Sequence, residues 1–277
     1  MASLGWIGMG RIGTQMAMLL LRAGHRLVIH DADPNRSAPA LKEGARAAGS
    51  PAELAAETDA VFLSVTDADA VQAIVFGSRG LAEGIGASAL VVDHTSIHPA
   101  RTRELAARLR DRTQAAWVDA PVSGSPGSTL AVFLGGAAAD IARVRPWIAS
   151  YARTMTHVGP VGAGQIAKSC NQAIVCATLA AWAEVLAYAQ QQGLDPATLM
   201  TAVEGGGAES SVRRYFLQDL LARRLPPETL RNLTKDLETM HDMALTASLP
   251  MPLNEAVSTQ FRRVFAASIA ADGQIAT

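Results

Sequence analysis

Three glycines stand at G-x-G-x-x-G spacing in Gly8-Met9-Gly10-Arg11-Ile12-Gly13. A short apolar run precedes them and helical periodicity follows. In that setting the spacing has a physical use. Gly8 permits a tight turn, and Gly10 lets the backbone approach a pyrophosphate. Gly13 lets the helix pack on the strand, with the helix N-terminus facing the anion. Met9, Arg11 and Ile12 complete the candidate phosphate loop. A chain with 23 glycines makes such patterns by accident, so the weight lies in the placement between strand and helix. Asp31 ends the next apolar run, 18 residues past Gly13. A carboxylate there accepts hydrogen bonds from adenosine ribose hydroxyls and repels a 2′-phosphate, which argues for NAD. Asn35-Arg36-Ser37 follows, and an arginine can cap a 2′-phosphate, so NADP stays open.

Other reactive side chains offer less. Cys170 and Cys176 are six residues apart in a helical stretch and face different directions, with no C-x-x-C or Cys/His cluster. They read as packed or half-buried free thiols in a reducing compartment. His241 and Asp242 are adjacent and diverge on a helix, so no metal site is expected. His94 and His98 read as loop residues. The arginines at 213, 214, 223, 224, 262 and 263 read mostly as solvated helix faces.

The elements that must position these groups follow from periodicity. Leu4 to Ile7 and Arg26 to His30 are strand candidates, with a helix between them that Gly24 closes. Ser50 before Pro51 is a helix N-cap. Ala60 to Val65 and Leu90 to Asp93 are bare apolar runs, as buried parallel strands should be. Pro99 to Arg112 is helical, and Trp117-Val118 and Ala131 to Leu134 look like further strands. Strands alternating with helices mean a mostly parallel, doubly wound Rossmann sheet. Near Gly159 the character changes. After the breaker cluster Gly159 to Gly164, helical periodicity runs to Gln192, a helix of about 28 residues and roughly 42 Å. Strand signals then stop, and helices are expected at Pro196 to Val203, Ser210 to Leu221, Pro227 to Ser248 and Asn254 to Ala271. The expected organisation is α/β, with a dinucleotide-binding domain over 1–160 and an all-α domain, entered by the long helix, over 161–277.

Bulk properties narrow the partners. The chain has 277 residues, 49% hydrophobic and 18% charged, with a formal net charge of −1. That suits a folded two-domain protein without the basic field that nucleic acid or an anionic membrane requires. The apolar stretch Leu4 to Leu21 reads as a strand and a helix, not a signal peptide or a span. A cytoplasmic protein is expected, and the long apolar helix suggests a homodimer or homotetramer.

Three further segments fall in order. They are Asp93-His94-Thr95-Ser96-Ile97-His98-Pro99, Asp119-Ala120-Pro121-Val122-Ser123-Gly124, and Gly162-Ala163-Gly164-Gln165-Ile166-Ala167-Lys168-Ser169-Cys170-Asn171-Gln172. With the N-terminal loop, with Lys235-Asp236-Leu237 and with Leu249 to Leu253, they resemble the β-hydroxyacid dehydrogenase family over essentially the whole chain. That family includes 3-hydroxyisobutyrate dehydrogenase and tartronate semialdehyde reductase, and more distantly 6-phosphogluconate dehydrogenase. The resemblance implies hydride transfer between NAD(P)(H) and a small 3-hydroxy acid or its semialdehyde, with Lys168 as general acid/base. The chemistry agrees. Hydride transfer to a carbonyl leaves an alkoxide, which an adjacent ammonium stabilises and protonates. In the oxidative direction a neutral amine takes the proton, a form that partial burial favours.

The same resemblance implies that Ser123 and Gly124 hold the substrate carboxylate. Asn171 and Gln172 would contact its hydroxyl, the latter on the same helix face as Lys168. Thr95 and Ser96 would lie along the nicotinamide ribose, with Val65 and Thr66 at the turn beside it, and Lys235 would close over the cofactor. The chain departs from the family after Gly124, where Ser125-Pro126-Gly127-Ser128-Thr129-Leu130 is about four residues short and carries Pro126. A sulfonate or phosphate substrate or an imine is an alternative, though imine reductases of this fold usually lack the lysine. A non-catalytic NAD(P)-binding sensor is the alternative from a different class.

Overall fold

The computed structural model describes residues 2–124, 126–127, 130–222 and 224–274. Ser125, Ser128 and Thr129 of the short loop, and Arg223, lie outside the described residues. The chain divides into two compact units, the first ending at Lys168 and the second beginning at Ser169.

The first unit is built on a nine-stranded sheet. Its strands are β1 (Ser3–Ile7), β2 (Arg26–His30), β3 (Arg46–Ala47), β4 (Ala60–Leu63) and β5 (Leu90–Asp93), then β6 (Ala116–Asp119), β7 (Val122–Ser123), β8 (Ala131–Gly135) and β9 (Thr154–Gly159). The order is β3-β2-β1-β4-β5-β6-β8-β7, with β9 also on β8. Strands β1 to β6 run parallel, β8 is antiparallel to β6 and β7, and β9 is parallel to β8. The chain therefore moves from β1 toward one edge and returns at β4 toward the other, which leaves a crevice beyond the carboxyl ends of β1 and β4.

Alternation along the strands explains why they read as bare apolar runs. Leu4, Trp6, Leu27, Ile29, Phe62 and Val92 face one core layer. Ile7, Val28, Val61, Leu63, Val91 and Trp117 face the other. Both faces are covered, so neither set of alternate residues is polar. The first helix (Arg11–Arg22) buries Met16, Ala17 and Leu20 and ends before Gly24, whose φ of +85° needs glycine. Ser50 caps the helix Pro51–Ala56 by accepting from Glu53 N at 3.2 Å.

Three features of the structure go beyond or against the reading of the sequence. β9 was not expected, because Thr154–Gly159 is largely exposed and carries no apolar alternation. His94 lies in the loop after β5, as expected, but its side chain is part of the core. It stacks on Trp6 and Phe62, its ring bonds the Ala120 carbonyl at 2.6 Å, and the Tyr151 hydroxyl lies at 2.8 Å. Burial lowers its pKa to about 4. Arg213 is also buried rather than solvated. It pairs with Glu209 at 2.7 Å and donates to the Met200 carbonyl at 3.0 Å, as a buried charge must.

The second unit is helical. It takes the rest of the long helix (Ala163–Gln191), followed by Pro196–Ala202, Ser211–Tyr215, Leu217–Ala222, Pro227–Thr246 and Pro252–Gln274. The expected single helix over Ser210 to Leu221 is interrupted at Phe216, which has φ −101° and ψ 13°. Cys176, Leu179, Trp182 and Leu186 of the long helix pack with Met200, Phe216, Leu220, Leu237 and Phe261. By length and composition alone this helix could cross a membrane, a test that the core helix of a soluble protein also passes. Of the two thiols, Cys176 is buried and Cys170 is exposed.

Candidate active site

The phosphate loop joins β1 to the first helix, and each glycine answers to a different constraint. Gly8 has φ +99°, and a Cβ there would lie 2.1 Å from the Ser64 carbonyl oxygen. A Cβ on Gly13 would lie 2.1 Å from the Gly8 carbonyl oxygen, so the helix packs on the loop only without a side chain. Gly10 meets nothing within 4 Å and is the N-cap of the helix, with no side-chain cap and no acid in the first turn. That combination is an open cradle of unsatisfied N–H groups, and a dinucleotide pyrophosphate fits it. Around it, Met9 is buried, Ile12 is half-buried and Arg11 is exposed.

The contrast between Gly8 and Gly10 gives an expected result. Gly8→Ala should destabilise the first unit by about 2–5 kcal/mol, from a positive φ and from overpacking. Gly10→Ala should leave the melting temperature within a few degrees yet weaken NADH binding. Thermal unfolding and NADH fluorescence titration separate the two, and equal losses of stability would overturn the assignment.

Asp31 follows β2 and turns back on the loop. Its Oδ2 accepts from Met9 N at 2.6 Å and its Oδ1 from Asp33 N at 2.8 Å. Each oxygen keeps a second lone pair for a ribose hydroxyl. Arg36 is exposed and pairs with Asp33 at 3.6 Å. Beyond β4 and β5, Val65 N donates to the buried Thr95 Oγ1 at 3.2 Å, which ties the two turns together. Thr66 is exposed and Ser96 half-buried. Ser123 ends β7, paired with Ala131, and Gly124 follows with φ +100°.

Lys168 is buried, with 8% of its surface exposed, in the long helix. The start of that helix is fixed by two groups that local sequence signals did not single out. Asp119, at the end of β6, accepts from Gly162 N at 2.7 Å and Gln165 N at 3.0 Å. Burial pushes its carboxyl up to about 6, against the backbone N–H groups that hold it down. Gln165 itself donates from Nε2 to the Thr95 carbonyl at 2.7 Å and accepts from Ile97 N at 3.2 Å.

In the second unit, Asn171 Nδ2 donates to Gln172 Oε1 at 3.0 Å, and Gln172 Nε2 donates to Asp236 Oδ2 at 2.8 Å. Asp236 thus fixes the orientation of the Gln172 amide. The neighbouring Lys235 is half-buried, its Nζ 3.9 Å from Asp236 Oδ1. Among the described residues no cluster of three or more His, Cys, Asp or Glu side chains could hold a metal.

Comparison with known proteins covers both units. Residues 3–159 match the family described as the NAD-binding domain of 6-phosphogluconate dehydrogenase. Residues 162–276 match the family described as NAD-binding of NADP-dependent 3-hydroxyisobutyrate dehydrogenase. The chain is 33% identical to a probable mitochondrial 3-hydroxyisobutyrate dehydrogenase-like protein of Arabidopsis thaliana, over 90% of this chain and 83% of that one. It is 32% identical to the 2-hydroxy-3-oxopropionate reductase of Escherichia coli K12, over 90% of this chain and 86% of that one. A crystal structure of a 3-hydroxyisobutyrate dehydrogenase from Salmonella typhimurium superposes with a TM-score of 0.86 at 27% identity, covering 96% of this chain and 95% of that one.

Proposed function

The chain belongs to the β-hydroxyacid dehydrogenase family, and from that premise we propose how its residues share the reaction. It is an NAD(P)-dependent oxidoreductase that moves a hydride between the dinucleotide and a small 3-hydroxy acid or its semialdehyde. The substrate we infer has three or four carbons. Ser123 and Gly124 bind its carboxylate, and Asn171 and Gln172 contact its hydroxyl. Lys168 donates a proton to the carbonyl oxygen as negative charge develops there, and takes it back in the oxidative direction.

The dinucleotide, when bound, supplies or accepts the hydride. Gly8, Met9, Gly10, Arg11, Ile12 and Gly13 would hold its phosphates, and Asp31 its adenosine ribose. Val65, Thr66, Thr95 and Ser96 would line the nicotinamide ribose, and Lys235 is a further cofactor-binding residue. The observation that carries this reading is a buried lysine three residues after Gln165, whose side chain is bonded to the Thr95 turn. A lysine hidden from solvent at that point has little to do as a surface charge. We further propose a cytoplasmic homodimer or homotetramer that needs neither nucleic acid nor membrane.

Initial rates with NADH and with NADPH across short semialdehydes and 3-hydroxy acids test the reading. Turnover of at least one substrate is expected, with NADH preferred. Asp31→Ala should lower kcat/KM for NADH roughly 10- to 100-fold, the weight of hydrogen bonds to a charged group. NADPH should lose less, because the repulsion of its 2′-phosphate goes too. Tight NADH binding without turnover of any substrate would overturn the substrate class and point to another substrate or to a non-catalytic sensor.

A further inference from the structure

The long helix begins at a closed polar socket. The Asp119 carboxylate, 0% exposed, receives Gly162 N and Gln165 N, one on each oxygen. A helix start leaves such N–H groups without intrahelical partners, and a carboxylate also suits the positive end of the helix dipole. The socket has no slack. A Cβ on Gly135 would lie 2.5 Å from Asp119 Oδ1, and one on Gly164 2.7 Å from Asp119 Oδ2 and 2.5 Å from the Phe133 carbonyl oxygen.

Gln165 extends the socket sideways. Its side chain, 1% exposed, uses both ends of its amide on the backbone that follows β5, at Thr95 O and Ile97 N. Thr95 in turn receives Val65 N, from the turn after β4. One helical turn is therefore hydrogen-bonded to the end of β6 and to the loop leaving β5, and through Thr95 to the loop leaving β4. Lys168 comes three residues after Gln165, on the same side of the helix.

We propose that Gln165, seated by Asp119, is a positioning residue that holds Lys168 in register with the Thr95-Ser96 turn. The proposal rests on Lys168 being the acid/base. Proton transfer is sensitive to such placement, since a displacement of about 1 Å can lower a rate on the order of 100-fold. The socket supplies a geometric reason for a glutamine at this position that capping the helix start, which Asp119 already does, leaves unexplained.

The test is Gln165→Met, similar in length but unable to donate or accept from Thr95 and Ile97 backbone, measured beside Lys168→Ala. Gln165→Met should lower kcat about 10- to 100-fold. Its Kd for NADH should rise far less than its kcat falls, because the phosphate loop and Asp31 are untouched and only the Thr95-Ser96 turn is loosened. The deuterium isotope effect on kcat, with substrate labelled at the reacting carbon, should rise as the chemical step becomes slower than product release. Should the methionine variant fail to fold, Gln165→Ala leaves polar space for a water to satisfy both backbone groups while severing the tie, and the same kcat loss is expected. Wild-type kcat and isotope effect in a folded Gln165 variant, with Lys168→Ala inactive, overturns the positioning role alone. Full activity in Lys168→Ala overturns the acid/base reading beneath it.

Discussion

Replacing Lys168 by alanine is expected to lower kcat by about 100-fold or more, the loss that commonly follows removal of a general acid/base. Two effects disappear together. No group remains to protonate the nascent alkoxide, and no cation stabilises its charge. The affinity for NADH should change little, because the groups proposed to hold the dinucleotide are backbone N–H groups at Gly8 to Gly13 and the carboxylate of Asp31. Lys168→Arg separates the two effects. An arginine keeps the positive charge but does not give up its proton near neutral pH. It should recover part of the reduction rate and less of the oxidation rate, which needs a neutral base. A Lys168→Ala rate within about threefold of wild type would remove the lysine from the chemistry and return it to a role in packing.

Most of the first unit was legible because its signals are local. β2 and β5 fall where their apolar runs predict, since a strand covered on both faces has no polar residue inside it. The three glycines of the phosphate loop are legible for the same reason. Each constraint acts within a few residues of the glycine or against the adjoining strand end. β9 was illegible because it is held by pairing with β8 along its length, while its side chains stay largely exposed. A hydrophobic pattern records burial, not backbone pairing.

The candidate site shows the same division. Gly8, Asp31 and Lys168 are singled out by type and spacing or by their flanking motif. Asp119 and Gln165 do not. Their partners are 43 and 46 residues away for the carboxylate, and 68 and 70 residues away for the amide. Likewise, Gln172 is oriented by Asp236, 64 residues on. No window along the chain contains both members of such a pair. The burial of His94 is illegible for another reason. A histidine at a strand end is polar by type, and nothing nearby shows that Trp6, Phe62 and Tyr151 close over it.

That burial has a consequence for acid stability. The Ala120 carbonyl can only accept, so Nδ1 carries the ring proton and Nε2 accepts from the Tyr151 hydroxyl. The ring is neutral, and a second proton would have to enter among stacked aromatic faces. Its pKa is lowered from 6.5 to about 4 in the folded protein, chiefly by burial, while the unfolded chain protonates near 6.5. Between those values the unfolded state binds a proton that the folded state refuses. The contribution of a neutral His94 is therefore complete above about pH 6.5 and is lost as the pH falls toward 4. Over that window the loss is about 3 kcal/mol. Asp119 works in the opposite sense. Its pKa is raised to about 6, so its contribution is complete below the unfolded value of 3.8 and is lost as the pH rises through 6. The two slopes oppose each other between pH 6 and 4, and wild-type stability alone would hide both. The difference between wild type and His94→Gln isolates the histidine, since Asp119 is common to both. At pH 7.5 the variant should be less stable, because it loses the ring stacking and the Tyr151 hydrogen bond. As the pH falls from 6.5 to 4.5 the gap should close at roughly 1.4 kcal/mol per pH unit. Urea midpoints at four or five pH values suffice to see it. A gap that stays constant across that range would mean that His94 takes up its proton inside the fold, and that the aromatic cage is open to water.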